Sequence, residues 1–428
     1  MIHEIKFRNF LSFRDETTFS FEADKVDNPS SQVVKMSDGT NLLRFAIVFG
    51  ANASGKSNLL DAFEFLSDFW FHQPNDMQEE TQTVPFLLDS QTPTLPSEFD
   101  LSFYVQDVRY RYWLVLTSKQ VIEERLAYYK SNQPTLLFRR DIQDGQSVLK
   151  FNESVIKLSN IAKEELTLKC LPNMSFFAAR NKVNIAIPFV DTAMNWLQSN
   201  IMPLVEPNAK MMQFAGRQML NNAEIKNYMI NFLHQADFNI TNVNTEVVKK
   251  EIPREILDSL LADSSIPEKE RERLKLEHSF QNMNTTFEHT VTNARGVERY
   301  QLSDEMQSAG TIRTLGIEAA IDAAVRDNAF LTIDEIESSL HPDLVEYIIQ
   351  EFLMHNGESQ LLVTTHYDPL LSTIDDLIRR DSVWFTEKNA AGATDLYSLI
   401  EFKGLNRISS MQKAYRNGKF GAIPQIKG

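Results

Sequence analysis

An eight-residue stretch, Gly50-Ala-Asn-Ala-Ser-Gly-Lys-Ser57, constrains this chain more than any other segment. The apolar residues 45–49 precede it and predict a buried strand, and apolar residues recur at helical spacing from 59 to 69 after it. The glycines permit a turn whose successive backbone N–H groups face one anion, at the positive end of the following helix. A strand, this turn and a helix together predict a phosphate-binding loop.

Each position of the loop has an expected role. We expect Lys56 to reach the β- and γ-phosphates of a nucleotide, and Ser57 to ligate Mg²⁺. The other predicted nucleotide contacts in this loop are Gly50, Asn52, Ala53, Ser54, Gly55 and Asn58. The predicted cofactors are therefore ATP and Mg²⁺.

A second apolar stretch, 330–333, predicts a strand that delivers two carboxylates at its end, Asp334 and Glu335. We expect Asp334 to hold Mg²⁺ through its water shell, and Glu335 to polarise the attacking water as a general base. For Glu337 two interpretations stay open, a solvated helix start or a residue that orients the ligands of the metal.

His366 follows another apolar strand, predicted at 360–365. A histidine at this place can contact the γ-phosphate or the attacking water and act as a switch. The alternative is a structural histidine at a strand end. Lys56, Glu335 and His366 are the predicted catalytic residues.

A turn of small residues, Ser308-Ala309-Gly310-Thr311, opens the helix that precedes the acidic strand. Such a turn at a helix N-terminus binds anions. Because the phosphate loop of the same chain already holds the phosphates, we expect this turn to close on the γ-phosphate held by a second copy. A head-to-tail homodimer, or a higher even oligomer, follows. The alternatives are a plain helix cap, and a different register at 302–305.

Charge and cysteine content limit the class of protein. The net charge of −15 argues against a protein coated in basic surface. The single cysteine, Cys170, excludes an intrachain disulfide and fits a reducing compartment. No uninterrupted apolar run reaches the roughly 18 residues of a membrane helix. We therefore expect a cytoplasmic protein with no membrane partner.

These motifs, in this order, resemble those of ABC-type ATPases, in the soluble branch that contains the RecF, SMC and OLD proteins. The segment Ile-Glu-Ser-Ser-Leu-His-Pro at 336–342 and the opening strand at 5–10 carry this resemblance. The ending at 415–424 is similar to that of the RloA and AbiLi-type phage-defence ATPases. The resemblance implies an α/β fold, namely an ABC-type ATPase head in which a mixed sheet surrounds the phosphate loop beside an antiparallel β subdomain. It also implies ATP hydrolysis.

The same resemblance places Ser338 and Ser339 in the D-loop, which crosses the dimer interface. It leaves Gln73 and Gln106 as candidates for the glutamine loop. We expect three regions: the first half of the head at 1–145, a mainly helical insertion at 146–294, and the second half of the head at 295–428. Because only a short segment follows His366, we expect no toprim nuclease domain of the kind found in full OLD proteins, and we expect any nuclease to be a separate protein.

The expected function is that of a regulatory ATPase in bacterial anti-phage defence, which controls a separately encoded effector such as a nuclease. The alternative is a RecF-like DNA-repair ATPase that clamps DNA directly. Its support is a set of basic residues: Arg139, Arg140, Arg180, Lys182, Lys403, Arg407, Lys413, Arg416 and Lys419. A third and weaker hypothesis is RNA cleavage, from the spacing of Arg273 and His278.

Overall fold

A computed structural model describes residues 1–24, 31–236, 239–262 and 268–424. The strands, in chain order, are β1 Ile2–Arg8, β2 Thr17–Ser20, β3 Val33–Lys35, β4 Asn41–Leu43, β5 Phe45–Gly50, β6 Ser97–Val105, β7 Val108–Leu116, β8 Val121–Tyr129, β9 Pro134–Gln143, β10 Gln146–Phe151, β11 Asn242–Glu251, β12 Ser279–Asn293, β13 Gly296–Ser303, β14 Phe330–Ile333, β15 Gln360–Thr365, β16 Val383–Lys388 and β17 Thr394–Ser398. The helices are α1 Lys56–Phe71, α2 Asn160–Lys169, α3 Phe176–Arg180, α4 Pro188–Asn200, α5 Met212–Asn221, α6 Ala223–Gln235, α7 Arg254–Ala262, α8 Glu268–Glu277, α9 Ala309–Asp327, α10 Pro342–Met354 and α11 Met411–Arg416.

The chain divides into two compact units. The first unit contains Met1–Pro207, Ala323–Ser338 and the described part of Ile349–Gly428. The second unit contains the described part of Asn208–Asp322, together with Ser339–Ile348.

A five-stranded sheet in the first unit carries the phosphate loop. Its order is β14-β15-β5-β16-β17, with β14, β15, β5 and β16 parallel and β17 antiparallel at the edge. Every residue of β5 and β15 is buried, which explains why both strands are almost continuously apolar rather than alternating. The carboxyl ends of these parallel strands meet at one edge, where ligands bind in open α/β sheets.

A seven-stranded antiparallel sheet is the other main layer of the first unit, in the order β10-β9-β8-β7-β6-β1-β2. Its strands alternate buried and more exposed residues, as a sheet with one packed face requires. Helix α1 and the phenylalanine-rich face of this sheet share one apolar core. The mixed sheet around the loop and this antiparallel subdomain confirm the predicted fold class.

The second unit combines α5–α8 with a three-stranded antiparallel sheet in the order β11-β12-β13. The strands β11 and β12 are ten and fifteen residues long, so this unit contains a sheet in addition to its helices. Their sequences are rich in Asn, Thr, Glu and Lys, which leaves few apolar residues to reveal the alternation of a strand.

The boundary predicted at residue 146 also differs from the structure, because residues 146–207 belong to the first unit. The reason is aromatic packing against the seven-stranded sheet. The ring of Phe176 on α3 lies 4.2 Å from that of Phe138, and the ring of Trp196 on α4 stacks 5.2 Å from that of Phe103. These helices complete the core of the first unit instead of starting an insertion.

Candidate functional site

The phosphate loop joins β5, which ends at Gly50, to α1, which begins at Lys56. Two loop residues have left-handed backbone conformations, Ala53 with φ 62° and Gly55 with φ 105°. Asn52 and Ala53 are exposed, while Ser54 is buried. The loop therefore presents its middle to solvent and anchors its end in the protein.

Hydroxyl groups from segments distant in sequence hydrogen-bond to the phosphate loop and to one another. Thr394 Oγ1 lies 2.8 Å from the carbonyl oxygen of Ser54 and 2.8 Å from Ser12 Oγ. Ser54 Oγ lies 2.6 Å from Thr386 Oγ1. Asn58, a predicted nucleotide contact, donates a hydrogen bond from Nδ2 to Ser12 Oγ at 2.7 Å. These contacts fix the shape of the loop.

The same packing explains both glycines. A Cβ atom on Gly50 would overlap Thr386 Oγ1 and the carbonyl oxygen of Thr386. A Cβ atom on Gly55 would overlap the side chains of Thr394 and Ser12, at a φ that already disfavours other residues. Contact with neighbouring atoms therefore requires glycine at both positions, and at Gly55 the backbone conformation requires it as well.

Lys56 is buried, with 5% of its surface exposed, and its Nζ donates to the carbonyl oxygens of Gly50 at 2.9 Å and Ala51 at 3.2 Å. Burial lowers the pKa of this ammonium, and the charges of Glu335, Asp334 and Glu337 oppose the shift. An anion in the loop would offer the ammonium charged acceptors in place of two neutral ones.

Asp334 joins the two halves of the site. Its Oδ2 accepts a hydrogen bond from Ser57 Oγ at 2.8 Å, and its Oδ1 accepts one from the hydroxyl of Thr364. The adjacent carboxylate and hydroxyl oxygens fit Mg²⁺, which prefers oxygen ligands and takes one or two from the protein and the rest from water and phosphate. Within the described residues no group of three or more His, Cys, Asp or Glu is placed to hold a metal ion.

Glu335 follows in a left-handed conformation, with φ 44°. Its backbone N–H donates to Thr364 Oγ1 at 2.9 Å. Thr364 therefore contacts both acidic residues, although the sequence did not single it out. Its position follows from the parallel register, which pairs Ile333 with Val363 and sets the next residue of each strand side by side.

Glu337 contacts His366 rather than forming a solvated helix start, since the segment after β14 is a turn. Its Oε1 accepts a hydrogen bond from the backbone N–H of His366 at 2.7 Å and lies 2.9 Å from the ring Nδ1. The side chain of Glu337 is 10% exposed and that of His366 is 52% exposed. A largely buried carboxylate thus holds a half-exposed imidazole at the end of β15.

Helix α1 carries a further acidic residue one turn after Ser57. Burial, reinforced by the charges of Glu64, Asp334 and Glu206, raises the pKa of Asp61 to about 6. The negative charge near the loop is therefore costly to the fold, and a cation at the site would relieve part of it.

The turn Ser308–Thr311 lies in the second unit. Ser308 precedes the first residue of α9, and its Oγ accepts a hydrogen bond from the N–H of Thr311 at 3.0 Å and lies 2.8 Å from Thr311 Oγ1. A Cβ atom on Gly310 would come within 2.8 Å of the carbonyl oxygen of Ser339. Ser308 thus caps the helix, and the turn packs against Ser339. The competing register at 302–305 ends a strand and enters a 3₁₀ turn.

The two glutamine candidates lie in different settings. Gln73 is exposed shortly after α1. Gln106 is exposed in the two-residue turn between β6 and β7, where it and Asp107 both have positive φ. This conformation is that of a tight hairpin turn.

Two of the basic residues named for nucleic-acid binding are internal. Arg140 is fully buried and donates to Glu124 Oε2 at 3.1 Å. Arg180 is 9% exposed and binds Asp191 through two hydrogen bonds of 2.9 Å. These arginines stabilise the fold and cannot reach a phosphate backbone. Exposed basic residues remain in the tail: Lys403, Arg407, Lys413, Arg416 and Lys419.

The residues of the ribonuclease hypothesis lie at the end of α8. His278 has φ 48°, and its backbone N–H donates to the carbonyl oxygen of Leu274 at 3.0 Å. His278 therefore terminates the helix that contains Arg273. This geometry explains its place by helix capping.

No helix in the described ranges combines the length and apolarity needed to cross a membrane.

No curated protein matches the sequence. The solved structures that are similar to the chain include two SMC heads. The SMC head domain from Thermotoga maritima has 13% identity and a TM-score of 0.40, over 93% of this chain and 98% of that chain. An SmcHead bound to the C-winged helix domain of ScpA has 13% identity and a TM-score of 0.40, over 94% of this chain and 99% of that chain.

A protein-family model described as "AAA domain, putative AbiEii toxin, Type IV TA system" matches residues 45–155 and 221–372. These segments cover more than half of the chain. They include the phosphate loop, the acidic strand end, the turn before α9 and His366. The chain belongs to this family of AAA domains.

Proposed function

We propose that this protein binds ATP with Mg²⁺ and hydrolyses it to ADP and phosphate. The hydrogen bond of 2.8 Å between Ser57 and Asp334 carries the proposal, because it joins the helix after the phosphate loop to the end of the acidic strand. The buried ammonium of Lys56 and the carboxylate of Glu335 lie in the same site. Membership of an AAA-domain family supports nucleotide chemistry.

The mechanism assigns a distinct task to each residue. The loop amides and Lys56 bind the β- and γ-phosphates, and Ser57 and Asp334 would hold Mg²⁺, which neutralises charge on the phosphates. Glu335 accepts a proton from the attacking water, as a general base. The Ser308–Thr311 turn of a second copy stabilises negative charge that develops on the γ-phosphate. Hydrolysis then requires a dimer, and the bound ATP itself brings the two copies together.

The substitution Glu335→Gln tests this mechanism. The variant keeps the shape of the side chain and loses the base, so we expect ATP binding to persist while hydrolysis falls about 100-fold or more. The uncleaved ATP should also accumulate a dimer, measured by light scattering after size-exclusion chromatography. Glu164→Gln is the matched control, because Glu164 is exposed on α2. An unchanged turnover rate in Glu335→Gln would refute the assignment of the base.

We further propose that the ATPase regulates a separately encoded effector in bacterial anti-phage defence. The family description names a toxin–antitoxin system, which by definition has a second component. Tagged Glu335→Gln protein, purified from its native host in ATP and Mg²⁺, should retain that component in a fixed ratio. Lys56→Ala protein, which should not close around ATP, is the control.

The competing function is a DNA clamp of the RecF kind. The exposed basic residues of the tail favour it, and the burial of Arg140 and Arg180 removes part of its original support. A clamp should bind DNA more tightly with ATP, with an affinity that falls steeply with salt. Nucleic acid recovered in the purification without a protein component would favour the clamp over the regulatory function.

A further inference from the structure

The contact between Glu337 and His366 constrains more than the position of a loop. One oxygen, Oε1, receives the backbone N–H of His366 at 2.7 Å and lies 2.9 Å from the ring Nδ1. The other oxygen, Oε2, is buried and has no hydrogen-bond partner among the described residues. The charge of Glu337 also acts on Lys56, so this carboxylate belongs to the electrostatic environment of the phosphate loop.

A carboxylate can only accept hydrogen bonds, so a ring nitrogen at 2.9 Å must carry the proton. A neutral imidazole has one N–H, and placing it on Nδ1 leaves Nε2 as an acceptor. The backbone contact fixes where the residue sits, and the ring contact fixes which nitrogen bears the hydrogen. These are separable effects of one side chain.

We propose that Glu337 is a positioning residue that keeps the N–H of the His366 ring on Nδ1, so that Nε2 accepts a hydrogen bond from the attacking water. This inference rests on the proposed ATP hydrolysis and decides between the two expected roles of the histidine. The γ-phosphate oxygens are acceptors, and they cannot bond to an unprotonated Nε2. Water has hydrogens to donate, and Glu335 and His366 together would orient both of them. His366 would therefore bind the attacking water rather than the γ-phosphate.

Two variants distinguish control of the His366 tautomer from simple structural support of the segment around it. Glu337→Gln keeps an acceptor oxygen of the same reach, so it should preserve the Nδ1–H tautomer. Glu337→Ala removes that oxygen, and the proton should move to Nε2, where solvent can accept its hydrogen bond. Long-range ¹H–¹⁵N spectra of protein labelled at histidine distinguish the two tautomers directly. The spectrum of a His366→Gln variant identifies the signal among those of the eight histidines.

Steady-state ATPase rates give the second measurement. We expect Glu337→Ala to lower kcat about 10- to 100-fold, the range typical when the partner that orients a metal-bound histidine is lost. The KM for ATP should stay nearly constant, and Glu337→Gln should restore most of kcat. Intrinsic tryptophan fluorescence checks that each variant is folded. If Glu337→Ala fails that check, the spectrum of the wild type and the rate of Glu337→Gln still decide the matter.

An Nε2–H tautomer in the wild type, or a ring protonated on both nitrogens at the pH of the ATPase assay, would overturn the proposal. So would equal loss of activity in Glu337→Ala and Glu337→Gln, since only the former loses the acceptor. The tautomer is measured without nucleotide, so it does not depend on hydrolysis. A wild type that lacks ATPase activity but shows the Nδ1–H tautomer would refute the proposed function and leave only the positioning of the ring.

Discussion

The hydroxyl of Thr364 offers the sharpest test of how this site is built. It donates to Asp334 and accepts from the backbone N–H of Glu335, and Thr364 is fully buried. Thr364→Val keeps the shape and removes both hydrogen bonds. Thr364→Ser keeps both hydrogen bonds and removes one methyl group. The pair therefore separates polar contacts from packing at a single position.

Losing the hydrogen bonds in Thr364→Val should lower the free energy of unfolding more than losing the methyl group in Thr364→Ser. A hydrogen bond to a charged group contributes roughly 1.5–3 kcal/mol, and leaving a buried N–H without an acceptor costs about 1–3 kcal/mol. Because Ser57 still donates to Asp334, we expect Thr364→Val to lower the free energy of unfolding by about 2–4 kcal/mol. Removing one methyl group in Thr364→Ser should cost only about 1 kcal/mol.

Urea unfolding followed by tryptophan fluorescence is a suitable assay. All four tryptophans, Trp70, Trp113, Trp196 and Trp384, lie in the first unit, as does Thr364. The signal thus reports the unit that contains the substitution. A valine variant as stable as the serine variant, or more stable, would refute the assignment of these hydrogen bonds.

Three further predictions concern charge and backbone. Because the pKa of Asp61 is raised to about 6, the folded protein binds an extra proton between about pH 4 and 6, so ionised Asp61 destabilises the fold above that range. Asp61→Asn should therefore raise the free energy of unfolding by about 1 kcal/mol at pH 8, because the partial exposure of Asp61 weakens the effect. At pH 4 the substitution should change the free energy of unfolding by almost nothing, and urea midpoints at the two pH values measure both effects. Gly55→Ala should weaken binding of a fluorescent ATP analogue at least 10-fold, because the added methyl group would overlap Thr394 and Ser12 and the φ of 105° disfavours alanine. Wild-type affinity in this variant would show that the loop tolerates a side chain at this position. Arg140→Met leaves the buried charge of Glu124 without its partner and should cost about 3–5 kcal/mol in unfolding titrations, whereas Arg416→Gln, at an exposed ion pair, should leave the midpoint unchanged.

Local motifs of the site could be predicted from sequence because each is a short segment with its own physical signature. The strand, glycine turn and helix around Lys56 need only about 25 neighbouring residues to be visible. Asp334 could be placed for the same reason, since it ends an apolar run. Their meeting through Ser57 is a long-range contact, which the pattern implied and the structure describes.

Other features depend on strand register and were not visible in the sequence. Thr364 contacts the acidic residues because β14 and β15 are parallel and aligned, and Glu337 contacts His366 because the turn after β14 brings it there. The strand β11 was missed because its sequence is rich in polar residues and shows no regular apolar alternation. The burial of Arg140 was equally invisible, since its partner Glu124 lies on the neighbouring strand β8.

The order of strands in the five-stranded sheet has a consequence for biosynthesis. The strand that leads into the phosphate loop, β5, lies between β15 and β16, and the loop itself is braced by Thr386 and Thr394. A ribosome delivers these partners more than 300 residues after Gly50. Until then β5 has no neighbours in its sheet, and the loop lacks the hydroxyl groups that shape it. Truncated products of interrupted translation should therefore carry the whole phosphate loop and still be unable to turn over nucleotide.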